Sequence, residues 1–171
     1  DLTIIGNPNP DFTGGITNTF RFYNFDMSLF FTFSYGNDIL NMNRYYLEEG
    51  RSLSSNQFAS YADRWTVDNP NGKLPRARSA NNTAWGSDRY VEDGSYLRLK
   101  NLNIGYTLPV QVSQRFFVSN MRIYFSAQNL FTVTGYSGQD PTVSTMSNAR
   151  TPGYDYSAYP VPRTFIFGCL L

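Results

Sequence analysis

Any chemistry in this chain of 171 residues would have to rest on carboxylates, hydroxyls and aromatic rings, because it has no histidine and a single cysteine, Cys169. Two acidic pairs stand out, Glu48–Glu49 and Glu92–Asp93. Adjacent acids do not set the separation across a scissile bond that a glycosidase-type carboxylate pair needs. Without histidine the common nucleophile–base pairs are also missing. Both pairs read as solvated loop charges, and no catalytic residue is assigned. "SGQDP" around Asp140 has the composition of a cation site, yet an Asp–Pro step more often sets a turn. Zinc sites of the His or paired-Cys type are excluded, so no metal and no cofactor are expected. Trp65 and Trp85 could stack on sugar rings; packing within their own loop is the plainer reading, since large buried rings stabilise structure.

Such residues need a scaffold, and composition restricts what it can be. Fourteen basic and thirteen acidic residues give a net charge of +1, which creates no field to recruit nucleic acid. Charged residues make up 16%, against about 25% in ordinary soluble domains. Aromatic residues make up 17%, led by Phe and Tyr. No run of about 18 apolar residues exists, which excludes a transmembrane helix but not membrane-crossing strands of about 9–11 residues. The opening "DLTIIGNPNP" carries neither an initiator Met nor a signal peptide, which suggests the interior or tail of a longer protein.

Period-two alternation dominates the rest. In residues 12–22 Phe12, Ile16, Phe20 and Phe22 oppose Thr13, Thr17, Thr19 and Arg21. In residues 25–35 Phe25, Met27, Leu29, Phe31, Phe33 and Tyr35 oppose Asp26, Ser28, Thr32 and Ser34, with Phe30 out of pattern. These predict a hairpin with a very short turn near Tyr23–Asn24. Further strands are expected at about 95–108, 121–133 and 163–171. Long polar connections fill about 36–94 and 135–161. The first has room for short helices in "NDILNMNRYYLEEG" and "SNQFASYADRW". Connections therefore run short, very long, medium and long, which places both long loops on one side.

The third strand poses a problem of phase. Leu97 and Leu99 are apolar at odd positions, whereas Leu102, Ile104, Tyr106 and Leu108 are apolar at even ones. A β-bulge near Lys100–Asn101 accounts for the change. The expectation is that Leu97 and Leu99 turn inward near an outer mouth while the later residues face lipid. Arg98 and Lys100 should then sit at the mouth or point inward, because a cation at mid-bilayer costs about 2–4 kcal/mol.

A soluble β-sandwich also alternates in this way. Lipid is favoured by nearly uncharged Phe, Leu, Met and Tyr on the outward faces. Aromatic residues also gather near strand ends (Tyr23, Phe25, Tyr35, Tyr96, Tyr106, Tyr136), as in an interfacial girdle. Five strands cannot close a barrel, and open edges in lipid leave backbone groups unsatisfied. A lipid-facing sheet of this size must be a piece of a larger wall, with Cys169 as a small apolar residue on its outer face.

"IGNPNPDFTGGITNTFRFYNFDMSLFFTFSYGNDI", "WTVDNPNGKLPRA", "SDRYVEDGSYLRLKNLNIGYTLP", "IYFSAQNLFTVTGYSGQDPTV" and "YPVPRTFIFG" together resemble the C-terminal region of SusC/RagA-type TonB-linked outer-membrane transporters. The resemblance spans nearly the whole chain and keeps the order of the family's motifs. It implies an all-β fold: an antiparallel transmembrane β-barrel segment, about the last five strands of a 22-stranded barrel. Residues 1–171 would form its C-terminal part with long extracellular loops, and the plug domain is absent from this sequence. It implies import of oligosaccharides or peptides across the outer membrane of a Bacteroidetes-like Gram-negative cell, with no enzymatic step. Implied partners are the remaining strands and plug, a SusD-like surface lipoprotein acting as lid, the TonB complex, outer-membrane lipid and a possible dimer of transporter–lid pairs. In that setting Tyr61, Trp65, Trp85 and Tyr136 become candidate contacts for substrate or lid. One departure from the family is the ending "FIFGCLL", which puts Ile166 and Leu170 on the face that should be polar. The alternative is a soluble β-rich carbohydrate-binding module.

Overall fold

The computed structural model describes residues 3–48, 50, 56–77, 87–145 and 151–171. The chain divides into two compact units. One comprises Asp11–Tyr35, Ser95–Thr134 and Val161–Leu171; the other comprises Asp1–Pro10, Gly36–Gly94 and Gly135–Pro160.

The first unit is a five-stranded antiparallel sheet. Its strands are β1 (Phe12–Phe22), β2 (Phe25–Tyr35), β5 (Tyr96–Thr107), β6 (Arg122–Thr134) and β8 (Thr164–Leu170), and they lie in that order. Phe22 pairs with Phe25, so the β1–β2 turn is Tyr23–Asn24, with Tyr23 in the left-handed region at φ 51°. The link from β5 to β6 holds a short helix, α2 (Val110–Ser113), and a 3₁₀ turn at Gln114–Phe116. β1 and β8 are the two edges.

Register decides which side each residue takes, since directly paired residues share a face. β2 runs without interruption, so its odd residues define one face throughout. Leu29 pairs with Leu102, Met27 with Ile104 and Phe25 with Tyr106. Between Phe30 and Phe31 the register shifts, after which Phe31 pairs with Leu99 and Phe33 with Leu97. The bulge expected near Lys100–Asn101 is present, but its effect is the opposite of the one expected. Lys100 is an extra residue that brings Leu97 and Leu99 back to the face of Leu102, Ile104 and Tyr106. They do not turn inward. The Phe31 and Phe131 rings, 6.5 Å apart, meet on that same face.

β6 absorbs the bulge in turn. Leu99 faces Phe131 and Asn101 faces Gln128, which leaves Asn129 and Leu130 opposite Lys100. Asn129 adopts φ 52°, a left-handed conformation that Asn tolerates better than most residues, and its Nδ2 donates to Pro162 O at 3.1 Å.

One face of the sheet is therefore apolar, carrying Phe31, Leu99, Ile104, Phe125 and Phe165 among others. Arg21, Asp26, Arg98 and Arg122 are all on the other face. There Arg98 donates from Nε to Thr132 Oγ1 at 2.8 Å. Phe30, the residue out of pattern, is on this polar face, where its ring lies over Gly15. β8 confirms the departure noted in the sequence: Ile166 pairs with Ser126 and Leu170 with Arg122, on the polar side, while Cys169 pairs with Ile123 on the apolar side. The expected girdle is only partly realised. Phe25, Tyr35 and Tyr106 end the apolar face, but Tyr96 is on the polar face beneath Arg98 and Tyr136 belongs to the loop unit.

The loop unit has more structure than its polar composition suggests. β3 (Asp38–Asn41) pairs antiparallel with β4 (Val91–Asp93) and parallel with β7 (Tyr154–Asp155). Helix α1 (Met42–Glu48) follows directly and turns Met42 and Tyr45 inward, where they meet Tyr90, Leu40 and Tyr154. Tyr45 and Tyr90 pack edge to face at 5.5 Å. A 3₁₀ turn at Ala59–Asp63 occupies the second predicted helical stretch.

Candidate functional site

The loop unit encloses a cleft of about 780 Å³, within the size range of ligand sites. Its wall is assembled from four places in the chain. Asn41 ends β3, Asn43 and Leu47 belong to α1, Ser137–Gln139 follow β6, and Asp155 with Ser157–Pro160 follow from β7. Phe58 completes it.

Asn41 is the pivot. Its Oδ1 accepts the Arg44 amide at 3.2 Å, the bond of a helix N-cap, which explains why α1 begins one residue later. Its Nδ2 donates to Glu92 Oε1 at 3.1 Å and to Ser137 Oγ at 3.3 Å, which ties β3 to the segment after β6. Glu92 also accepts from the Ser137 amide (2.8 Å), Ser137 Oγ (2.9 Å) and Arg44 Nη1 (3.0 Å). Arg44 reaches on to Glu48 at 3.1 Å, and Ser60 Oγ donates to Glu48 at 2.7 Å. Burial works to raise the Glu92 pKa, but the bonds from Ser137, Arg44 and Asn41 outweigh it and hold the carboxyl below its ordinary range. Arg44 is affected in the opposite sense: burial opposes its charge, and the two carboxylates more than restore it, raising its pKa.

Across the cleft, the buried Asp155 accepts from Tyr136 Oη at 2.6 Å and from the Ala158 amide at 3.4 Å. Burial first, and then this bond to a carboxylate, push the Tyr136 phenol well above its ordinary pKa. Asn43 Oδ1 accepts the Ser157 amide at 2.7 Å.

Of the two acidic pairs, Glu48 and Glu92 are not the solvated charges expected of them, whereas Asp93 is exposed as expected. Glu48 is 6% exposed and Glu92 sits within the network, both serving to hold loops together. Glu49 lies outside the described residues. Asp140 accepts from the Thr142 amide and hydroxyl (2.9 and 2.6 Å), the turn-setting role. Among the described residues no cluster of three or more His, Cys, Asp or Glu could hold a metal ion.

The candidate aromatic residues are scattered. Tyr136 is 5% exposed, with its ring against Gly138 and its hydroxyl on Asp155. Trp65 has Arg76 over its ring at 5.7 Å, and Tyr61 has Arg64 at 4.9 Å. None of the three lines the cleft, and Trp85 lies outside the described residues. The aromatic residues that do line it are Phe58 and Tyr159. Sequence reasoning missed the amide and hydroxyl wall because its members come from segments more than 110 residues apart, as the Asn43–Ser157 bond shows. Among the described residues the wall contains amides, hydroxyls and one carboxylate already engaged by Tyr136, but no Lys or Arg. This described lining is more apolar than polar, with Leu47, Phe58, Ala158, Tyr159 and Pro160 beside the amides and hydroxyls.

No family model matches the chain. It is 43% identical over 173 residues to TonB-dependent receptor P3 of Formosa agariphila and 34% identical to TonB-dependent receptor P26 of the same organism. TonB-dependent receptor SusC of Bacteroides thetaiotaomicron is 26% identical over the whole chain. Each alignment covers 98% or more of this chain but only 16–17% of the relative, so the chain spans about a sixth of their length. Among solved structures, the RagAB peptide transporter superposes on 97% of the chain with a TM-score of 0.79 and 27% identity, covering 18% of that chain. A five-stranded sheet with two open edges is what a stretch of barrel wall looks like when its neighbours are removed. With likeness in sequence and in fold running from end to end, the chain belongs to the SusC/RagA-like TonB-dependent receptors, of which it is a segment of the barrel.

Proposed function

We propose that this chain is the C-terminal part of an outer-membrane transporter that imports oligosaccharides or peptides. Its strands act as a passive wall, with the apolar face against lipid and the polar face lining the interior. The loop unit contributes part of an extracellular cavity closed by a SusD-like lipoprotein. Movement of plug and lid, energised through the TonB complex, does the transport; no covalent chemistry is involved.

One observation carries this reading. Register places Arg21, Asp26, Arg98 and Arg122 on one face, while the other carries Phe, Leu, Ile, Met and Tyr without a single charged group among the paired residues. A lipid-facing wall needs that division, because a charge on its outer face is costly in a depth-dependent way. The loop cleft, whose described lining has no Lys or Arg and sets Phe58 and Tyr159 beside amides and hydroxyls, supports an uncharged ligand such as a glycan or a peptide.

The test has two readouts. The native protein should fractionate with outer membranes, require detergent, and co-purify with a surface lipoprotein. Disrupting its gene should abolish growth on one glycan or peptide source. A protein that is soluble and monomeric without detergent would instead favour the carbohydrate-binding module.

A further inference from the structure

The link between β5 and β6 is unusually apolar for a connection in water. Within Val110–Val118, Val110 is 55% exposed, Phe116 62% and Phe117 99%, with Val112 also exposed. Residues 108–121, "LPVQVSQRFFVSNM", contain one cation, Arg115, and no Asp or Glu.

The backbone is firmly set. Leu108 N donates to Met121 O at 2.8 Å, which closes the base of the link on the ends of β5 and β6. Ser113 is fully buried and its hydroxyl donates to Val110 O at 3.1 Å. Phe117 then closes the helical segment in the left-handed region, at φ 61°, with its amide on Gln114 O at 3.1 Å. Glycine is the usual occupant of that closing position, because a Cβ is disfavoured there. Here a phenylalanine takes the disfavoured conformation and then extends its ring into solvent. Nothing within the sheet unit rewards either choice.

The position of the link suggests what does. It leaves the same sheet end as the Tyr23–Asn24 turn, since Thr107 N donates to Asn24 O at 2.9 Å. At that end the apolar face finishes in exposed Phe22, Phe25 and Ile123, and Tyr23 is 92% exposed in the turn. The link therefore leaves the sheet at the end where the apolar face finishes. Exposed aromatic rings with one arginine and no acid have the composition of a segment lying in the headgroup–acyl boundary.

We propose that Val110–Val118 is an interfacial anchor: Phe116 and Phe117 insert at the phospholipid boundary on the short-turn side of the wall, and Arg115 faces the phosphate groups. The proposal rests on the barrel-wall reading above and adds a lipid contact outside the strands.

Photo-crosslinking tests it in the whole transporter in its native membrane. Benzoylphenylalanine replaces Phe116 or Phe117 one at a time, and the same substitution at Phe165, on the apolar face of β8, serves as reference. The substitution keeps an aromatic ring, so folding is preserved. The expected result is a phospholipid adduct by mass spectrometry at 116 or 117, at a yield comparable with Phe165 and several-fold above the same probe at Asn120. An adduct to protein, or no lipid adduct at either position while Phe165 labels, overturns the anchor and leaves the wall intact. Failure at Phe165 as well overturns the wall reading with it.

Discussion

Deleting Lys100 should be tolerated, although removing one residue from a strand ordinarily turns half of it over. In β5 Lys100 is the residue that pairs with nothing in β2: Phe30 faces Asn101 and Phe31 faces Leu99. Without it, Leu97, Leu99, Leu102, Ile104 and Tyr106 fall into plain alternation on one face. The ladder to β2 becomes regular, and only the ladder to β6 suffers, with Asn129 and Leu130 then both unmatched. The expected cost is about one or two hydrogen bonds, roughly 1–2 kcal/mol. Deleting Ser28 from β2 is the contrast, because β2 has no spare residue. Its cheaper response turns Phe25 and Met27 to the polar face, at about 1.5–3 kcal/mol each. It also carries Asp26 to the apolar face and breaks its bidentate pair with Arg122. The two deletions should therefore differ by at least roughly 2–4 kcal/mol, against a typical stability of about 5–15 kcal/mol. The assay is the folded, heat-modifiable band of the whole transporter in outer membranes, followed through a urea titration. Equal loss of the folded band in both deletions, or survival of the Ser28 deletion, would show that the assignment of faces by register is wrong.

Other expectations follow from the loop unit and the polar face. Glu92→Ala removes the acceptor of four hydrogen bonds but leaves Arg44 its bond to Glu48, so the loop unit should lose about 2 kcal/mol. Hydrogen exchange at the Ser137 amide should then speed up about thirtyfold if opening is local. Because the Glu92 pKa is depressed in the fold, its contribution is complete above the ordinary carboxylate pKa. It declines as pH falls through the lower folded value, so Ser137 protection, corrected for intrinsic exchange, should weaken toward pH 4 and below. Tyr136→Phe leaves Asp155 without its 2.6 Å donor in a buried site and should cost about 1–3 kcal/mol, read as earlier protease cleavage after residue 135. Gly105→Ala places a methyl group on the Arg122 guanidinium and Asp26, and Gly168→Ala places one on the Tyr124 ring. Each should lower the urea midpoint of the folded band by an amount corresponding to about 1–3 kcal/mol, while Gly135→Ala, with open space around it, should not.

The sheet was legible because its strands are two-sided. Alternating Phe and Thr in "FTGGITNTFRF" and "FDMSLFFTFSY" records a structure with different solvents on its two faces, and a period of two is easily read without coordinates. The loop lengths follow from the same architecture, and they sufficed to place both long loops together.

Tertiary structure alone decided phase and convergence. A change of parity between Leu99 and Leu102 has two physical meanings, a change of face or an extra residue, and only the partner strand distinguishes them. The loop unit was hidden for a different reason. Its strands are only two to four residues long, too short for a periodic signal, and its stability comes from polar bonds between distant segments such as Asn41, Glu92 and Ser137. Local composition marks such segments as solvated loop. Their burial becomes visible once the chain has folded back on itself, because a buried carboxylate such as Asp155 is tolerable only when donors such as the Tyr136 hydroxyl arrive to satisfy it.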